Sequence, residues 1–67
     1  MLEKLMTKAN EFEMVILEKD NSIYVKDFEG FDENWEEIIV EIPDELWEIL
    51  GQLKELGVKV RYASEDI

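Results

Sequence analysis

Ten carboxylates lie between Lys26 and Lys54 with no basic side chain among them: Asp27, Glu29, Asp32, Glu33, Glu36, Glu37, Glu41, Asp44, Glu45 and Glu48. Residues 1–26 hold five acids against four bases, and residues 54–67 hold three of each, so nearly all of the net charge of −11 sits in the middle of the chain. Carboxylates at this density could do acid–base work in pairs, hold a hard cation, or imitate a row of phosphates. The pairs Glu36/Glu37 and Asp44/Glu45 are candidates for the first. Glycosidic chemistry, however, needs two carboxyl groups held about 5 to 9.5 Å apart across a sugar. A cleft of several hundred Å3 is not expected in a 67-residue chain. Neighbours on a strand also point to opposite faces, which separates Glu36 from Glu37. A solvated face is the simpler reading of both pairs.

The cation reading centres on Asp27-Phe28-Glu29-Gly30-Phe31-Asp32, which has oxygens at positions one and three of a calcium loop. Its glycine comes fourth instead of sixth, and Ile38 stands where a bidentate Glu is required, so no EF-hand is expected. At most a weak opportunistic site remains, and the expectation is no metal and no cofactor. The chain has no histidine and no cysteine, which removes the commonest general base, the thiolate ligands and any disulfide framework. Glycines 30, 51 and 57 are isolated, so nothing cradles a phosphate, and no hydroxyl sits beside a base. No catalytic residue is assigned, and the expectation is a non-enzyme.

The elements that must carry these acids read as follows. Met1–Ala9 forms a short amphipathic helix with Leu2, Leu5, Met6 and Ala9 on one stripe. Glu11–Glu18 is a strand in which Phe12, Met14 and Ile16 alternate against Glu13, Val15 and Leu17. Lys19-Asp20-Asn21-Ser22 has turn chemistry, and Ile23–Phe28 returns as the second strand of a hairpin. Residues 29–34 read as a loop, and Trp35–Ile42 as a third strand with Glu37, Ile39 and Glu41 on its wet face. Pro43 or Asp44 opens the main helix, residues 44–56, whose stripe is Leu46, Ile49, Leu50, Leu53 and Leu56. Gly57 ends it, Lys54 caps it, and Gly51 is expected at a close approach. Val58, Val60 and Tyr62 form a last strand, expected to lie parallel to the one before the helix, and the tail 63–67 frays. The fold class is α+β: a small two-layer sandwich of about four mixed strands with one main helix, in the order (α)βββαβ, as a single acidic domain over 1–67.

The function expected is an acidic binding protein that occupies the basic, nucleic-acid-binding surface of a partner protein. Side chains at i and i+2 on a strand lie about 6.6 Å apart, so Glu37 and Glu41 would share one face. Asp44, Glu45 and Glu48 continue the field onto the helix, and Asp32 and Glu33 extend it from the loop. In size and charge the chain is similar to small acidic phage proteins that inhibit host defence, DNA-mimic anti-restriction and anti-CRISPR proteins among them, although no motif assigns it to any such family. The alternative is a protein–protein module, an antitoxin-like partner or a homo-oligomer, with Trp47 at its centre. Phe28, Phe31, Trp35 and Trp47 are the aromatic candidates. Core filling is the leading expectation for Trp35 and Trp47, while for Phe31 core and interface stand level. The partner-binding set is thus Asp32, Glu33, Glu37, Glu41, Asp44, Glu45, Glu48, Trp47 and Phe31. Direct nucleic-acid binding is not expected at this charge. No apolar run reaches the roughly 20 residues of a membrane span and no leader stands at the N-terminus, so a cytoplasmic protein (host cytoplasm if viral) is expected.

Overall fold

The computed structural model describes residues 1–66. It has an α+β fold with helix α1 (Leu2–Asn10), strands β1 (Val15–Leu17), β2 (Ile23–Val25), β3 (Phe28–Phe31) and β4 (Glu37–Ile39), helix α2 (Asp44–Glu55), strand β5 (Val60–Tyr62) and a closing 3-10 turn, Ala63–Asp66. β2 is the central strand of a three-stranded sheet, antiparallel to β1 and parallel to β5. Strands β3 and β4 pair only with each other, as an antiparallel hairpin.

The core lies between the three-stranded sheet and the helices. Ile23 and Val25 are fully buried on β2, and Leu46, Leu50 and Leu53 are fully buried on α2. Val15, Tyr62, Ile42, Ile49, Leu5 and Ala9 complete the cluster. The buried positions of α2 recur three and four apart, as a helix packed on one face requires. Pro43 caps its start in an extended conformation, and Asp44 and Glu45 sit in the first turn, where the positive end of the helix favours acids. Its end is a Schellman turn: Gly57 N–H donates to the Lys54 carbonyl and Val58 N–H to the Leu53 carbonyl, each at 3.0 Å, with Gly57 at φ +90°.

The α+β class, the order of elements, the main helix and the first hairpin stand as the sequence implies. Several details differ, among them the strand expected over Trp35–Ile42, which is Glu37–Ile39 only, with Trp35 in the turn before it. The stretch 29–34 is not all loop, because Phe28–Phe31 is a strand. A bulge at Glu29 sets Phe28 opposite Ile39 but Gly30 opposite Ile38, and this breaks the period of two that marks a strand in sequence. β5 lies beside β2 and not beside the strand that precedes α2. A parallel sheet position needs burial, and Glu37, Ile38 and Ile39 are all exposed. The first strand is shorter than expected: Phe12–Met14 turns, after which Val15 is buried while Ile16 and Leu17 are exposed. The tail is held through residue 66. Ser64 donates its N–H and its hydroxyl to the two carboxylate oxygens of buried Asp27, at 2.8 and 2.6 Å; Ile67 lies outside the described residues.

Smaller expectations also shift. Leu56 is exposed, Gly51 meets nothing within 4 Å of where a Cβ would stand, and Lys54 donates to the Tyr62 hydroxyl at 2.8 Å instead of capping the helix. Neither tryptophan fills the core.

Candidate functional site

None of residues 28–41 is buried. A hairpin that buries nothing of its own is an arm, and the shape agrees: the chain measures 44 × 23 × 17 Å with a radius of gyration of 12.7 Å, against about 11 Å for a compact chain of this length. The arm closes in a tight turn. Trp35 N–H donates to the Asp32 carbonyl at 3.1 Å, Asp32 N–H to the Glu36 carbonyl at 3.0 Å, and the Asp32 carboxylate accepts from the N–H groups of Asn34 and Glu36. An aspartate opening a turn in this way is ordinary. The residue at its end is not: Trp35 sits at φ +61°, where glycine or asparagine is usual, and is 82% exposed.

The bulge has a chemical consequence. With one residue added, Phe28 and Phe31 fall on one face and meet edge to face, ring centres 5.4 Å apart. Trp35 continues the row, its ring 6.2 Å from that of Phe31. Glu37 stands directly across from Phe31 in the ladder, so a carboxylate borders the aromatic row. Asp32, Glu33 and Glu37 are all exposed, and Phe31 is nearly half exposed.

The remaining expected residues lie elsewhere. Glu41 lines an open groove of about 1040 Å3 between the root of the arm and the turn after α1, with Glu11, Glu13, Glu29 and Lys26 around Phe12, Met14, Phe28, Val40 and Pro43. The groove is open, and the carboxylates on it are solvent-exposed. Glu45 borders a smaller hollow of about 330 Å3 with Lys8, Glu11, Phe12 and Ile49. Asp44 and Glu48 are exposed on α2. Trp47 flanks the other side of the buried stripe: at about 100° per residue it stands roughly 160° from Glu45. It packs on Tyr62 at 5.7 Å and is 48% exposed. The structure thus gathers Phe31, Asp32, Glu33 and Glu37 on one arm and distributes Glu41, Asp44, Glu45, Glu48 and Trp47 around the body. Trp35 joins the first group; the isolated glycine between Phe28 and Phe31 signals the bulge, and nothing in the sequence marks the tryptophan's place beside them.

Of the ten carboxylates, nine are exposed and one, Asp27, is buried. Among the described residues the one ion pair within 4.0 Å is Arg61–Glu18, at 2.6 Å, and neither residue belongs to the ten. Glu18 holds the Arg61 guanidinium above its usual range by accepting its hydrogen bond. The cation reading loses its geometry, since Asp27 and Asp32 stand beyond opposite ends of β3 and spend their carboxylates on Ser64 and on the arm turn. Among the described residues no three acids are grouped as a metal site, and no helix is long and apolar enough to cross a membrane.

An α+β domain with an acidic, aromatic-tipped arm is what the fold and surface define. Comparison with protein-family models, with curated proteins and with solved structures returned no match.

Proposed function

We propose that this chain is a non-enzymatic acidic binding protein whose partner is a basic protein, in the first instance a nucleic-acid-binding protein whose cationic surface it occupies. The observation that carries the reading is the set of nine exposed carboxylates with no cation within 4.0 Å of them among the described residues. Such a field disfavours the compact state through self-repulsion and speeds association with an opposite field. A cytoplasmic location, in a host cell if the chain is viral, goes with this reading. The test is affinity capture from host lysate under a salt gradient, with wild type beside a variant carrying Glu41→Gln, Asp44→Asn, Glu45→Gln and Glu48→Gln. A nuclease, polymerase or repressor released at moderate salt, competed off by DNA and missed by the variant supports the proposal. Equal capture by the variant removes the body acids from the interface.

A second reading has its own observation. Trp47 lies half exposed against Tyr62, as an apolar anchor in an interaction module or a homo-oligomer would. A salt-resistant complex lost with Trp47→Ala would favour it.

A further inference from the structure

We infer that the tip of the β3–β4 arm is an arginine-binding site, formed by the rings of Phe31 and Trp35 with the carboxylate of Glu37 beside them, and that a guanidinium of the basic partner stacks there. This rests on the proposed acidic-binding function and names the contact that would give it specificity. The occupant follows from the chemistry of the face. An exposed aromatic pair offers a π-surface, and a planar guanidinium stacks on such rings while its N–H fork engages a carboxylate; a lysine ammonium does the second without the planar stacking. The same three-part arrangement exists inside this fold. Arg61 lies over the Tyr24 ring at 5.1 Å and donates to Glu18 at 2.6 Å. On the arm the ring and the carboxylate are placed side by side and the cation is lacking: Phe31 faces Glu37 across the ladder, and no base lies anywhere between Lys26 and Lys54.

Other occupants fit the charge less well. Bases of single-stranded nucleic acid stack on exposed aromatics, but Asp32, Glu33 and Glu37 would face their phosphates. Anionic lipid meets the same repulsion. A second copy would bring two arms of like sign together in a chain of net charge −11. The tip residue itself carries further weight. Trp35 holds a left-handed backbone that glycine would hold without strain, so its ring is kept where turn geometry alone argues against it.

The probes are oligoarginine and oligolysine peptides of equal length, titrated calorimetrically at physiological salt, about 0.15 M. Wild type should bind oligoarginine more tightly than oligolysine, by at most the about fivefold that a whole surface cation–π contact supplies. Trp35→Gly removes the ring while suiting the turn, so the hairpin persists; it should bind both peptides alike, whereas Glu37→Gln removes a carboxylate that either cation engages and should weaken both. Equal affinity of wild type for the two peptides, or a preference that survives Trp35→Gly, overturns the site while leaving a salt-sensitive acidic binding function standing. Failure of wild type to bind either peptide removes both readings. In a Trp47→Phe background, Trp35 emission that shifts with the protein's own concentration, or with added single-stranded oligonucleotide, would assign the tip to another occupant.

Discussion

The chain makes two hairpins with the same turn and puts them to opposite uses. In the β1–β2 hairpin, Asn21 N–H donates to the Glu18 carbonyl at 3.1 Å and Glu18 N–H to the Ser22 carbonyl at 2.9 Å, with Asn21 at φ +65°. In the arm the corresponding bonds are 3.1 and 3.0 Å, with Trp35 at φ +61°. Both are type I turns followed by a left-handed residue. The first hairpin carries Ile23 and Val25 into the core and gains β5 as a parallel neighbour. The second carries no buried side chain and pairs with nothing but itself. Local backbone geometry is therefore indifferent to role. What separates the two is the side chain at the left-handed position, asparagine where the turn is structural and tryptophan where the hairpin is presented to solvent.

The largest expected effect tests the assignment of stability to one hairpin only. Val25→Ala or Ile23→Ala should cost about 1–4 kcal/mol, because each leaves a cavity in a packed core. Ile39→Ala, 52% exposed on the arm, should cost less than about 1 kcal/mol. Urea denaturation of the three variants gives the comparison, and a comparable loss from Ile39→Ala would mean that the arm is packed against the body after all.

Next in size is the joint between them. Asp27 follows β2 and precedes β3; its side chain accepts from Ser64 and its carbonyl from Val40 N–H at 2.8 Å. Asp27→Ala leaves Ser64's donors without their acceptor and should cost about 1–3 kcal/mol. Faster hydrogen exchange should appear at the Ser64 amide before the β1–β2 ladder is affected. Uniform loss of protection would show that the joint is not a separate unit.

Charge comes third. Neutralising Glu41, Asp44, Glu45 and Glu48 together should raise the melting temperature by a few degrees at low salt, since one-signed repulsion opposes compaction. The gain should shrink as salt is added to wild type and screens the same repulsion. A variant that melts lower than wild type would assign these acids stabilising roles, most plainly Asp44 and Glu45 in the first turn of α2.

How much of this was legible depends on whether local pattern and tertiary role agree. The stripe of α2, Gly57 at its end and the Asp20-Asn21 turn were readable because periodicity and turn residues point the same way there. The arm was not. Gly30, Asp32 and Asn34 mimic a loop, and the bulge moves Phe28 and Phe31 from a spacing of two to three. The partner of β5 was hidden for a different reason. Adjacency in sequence favours β4, and only the observed pairing shows that β2 takes β1 on one edge and β5 on the other. The charge of the candidate surface was plain from the sequence, whereas the grouping of Phe31, Trp35 and Glu37 required the register.

The smallest expected effect distinguishes the two turns by pH. Asp20 in the structural turn accepts both the hydroxyl and the N–H of Ser22, and these bonds hold its carboxyl below its ordinary value of 3.8. A carboxyl whose pKa is lower in the folded state is bound to fewer protons there than in the unfolded chain, so its contribution is complete above pH 3.8 and fades as pH falls through the lowered value. Asp20→Asn should therefore flatten the acid limb of the stability curve below pH 4 and change little at pH 7, where asparagine can still accept from Ser22. Asp20 is fully exposed, so the difference will be small and must be read from paired curves on the same salt. An acid limb unchanged by the substitution would mean that the Ser22 bonds do not persist in solution. The two turns would then differ in their left-handed residue alone, and the case for Trp35 as the functional departure would be cleaner for it.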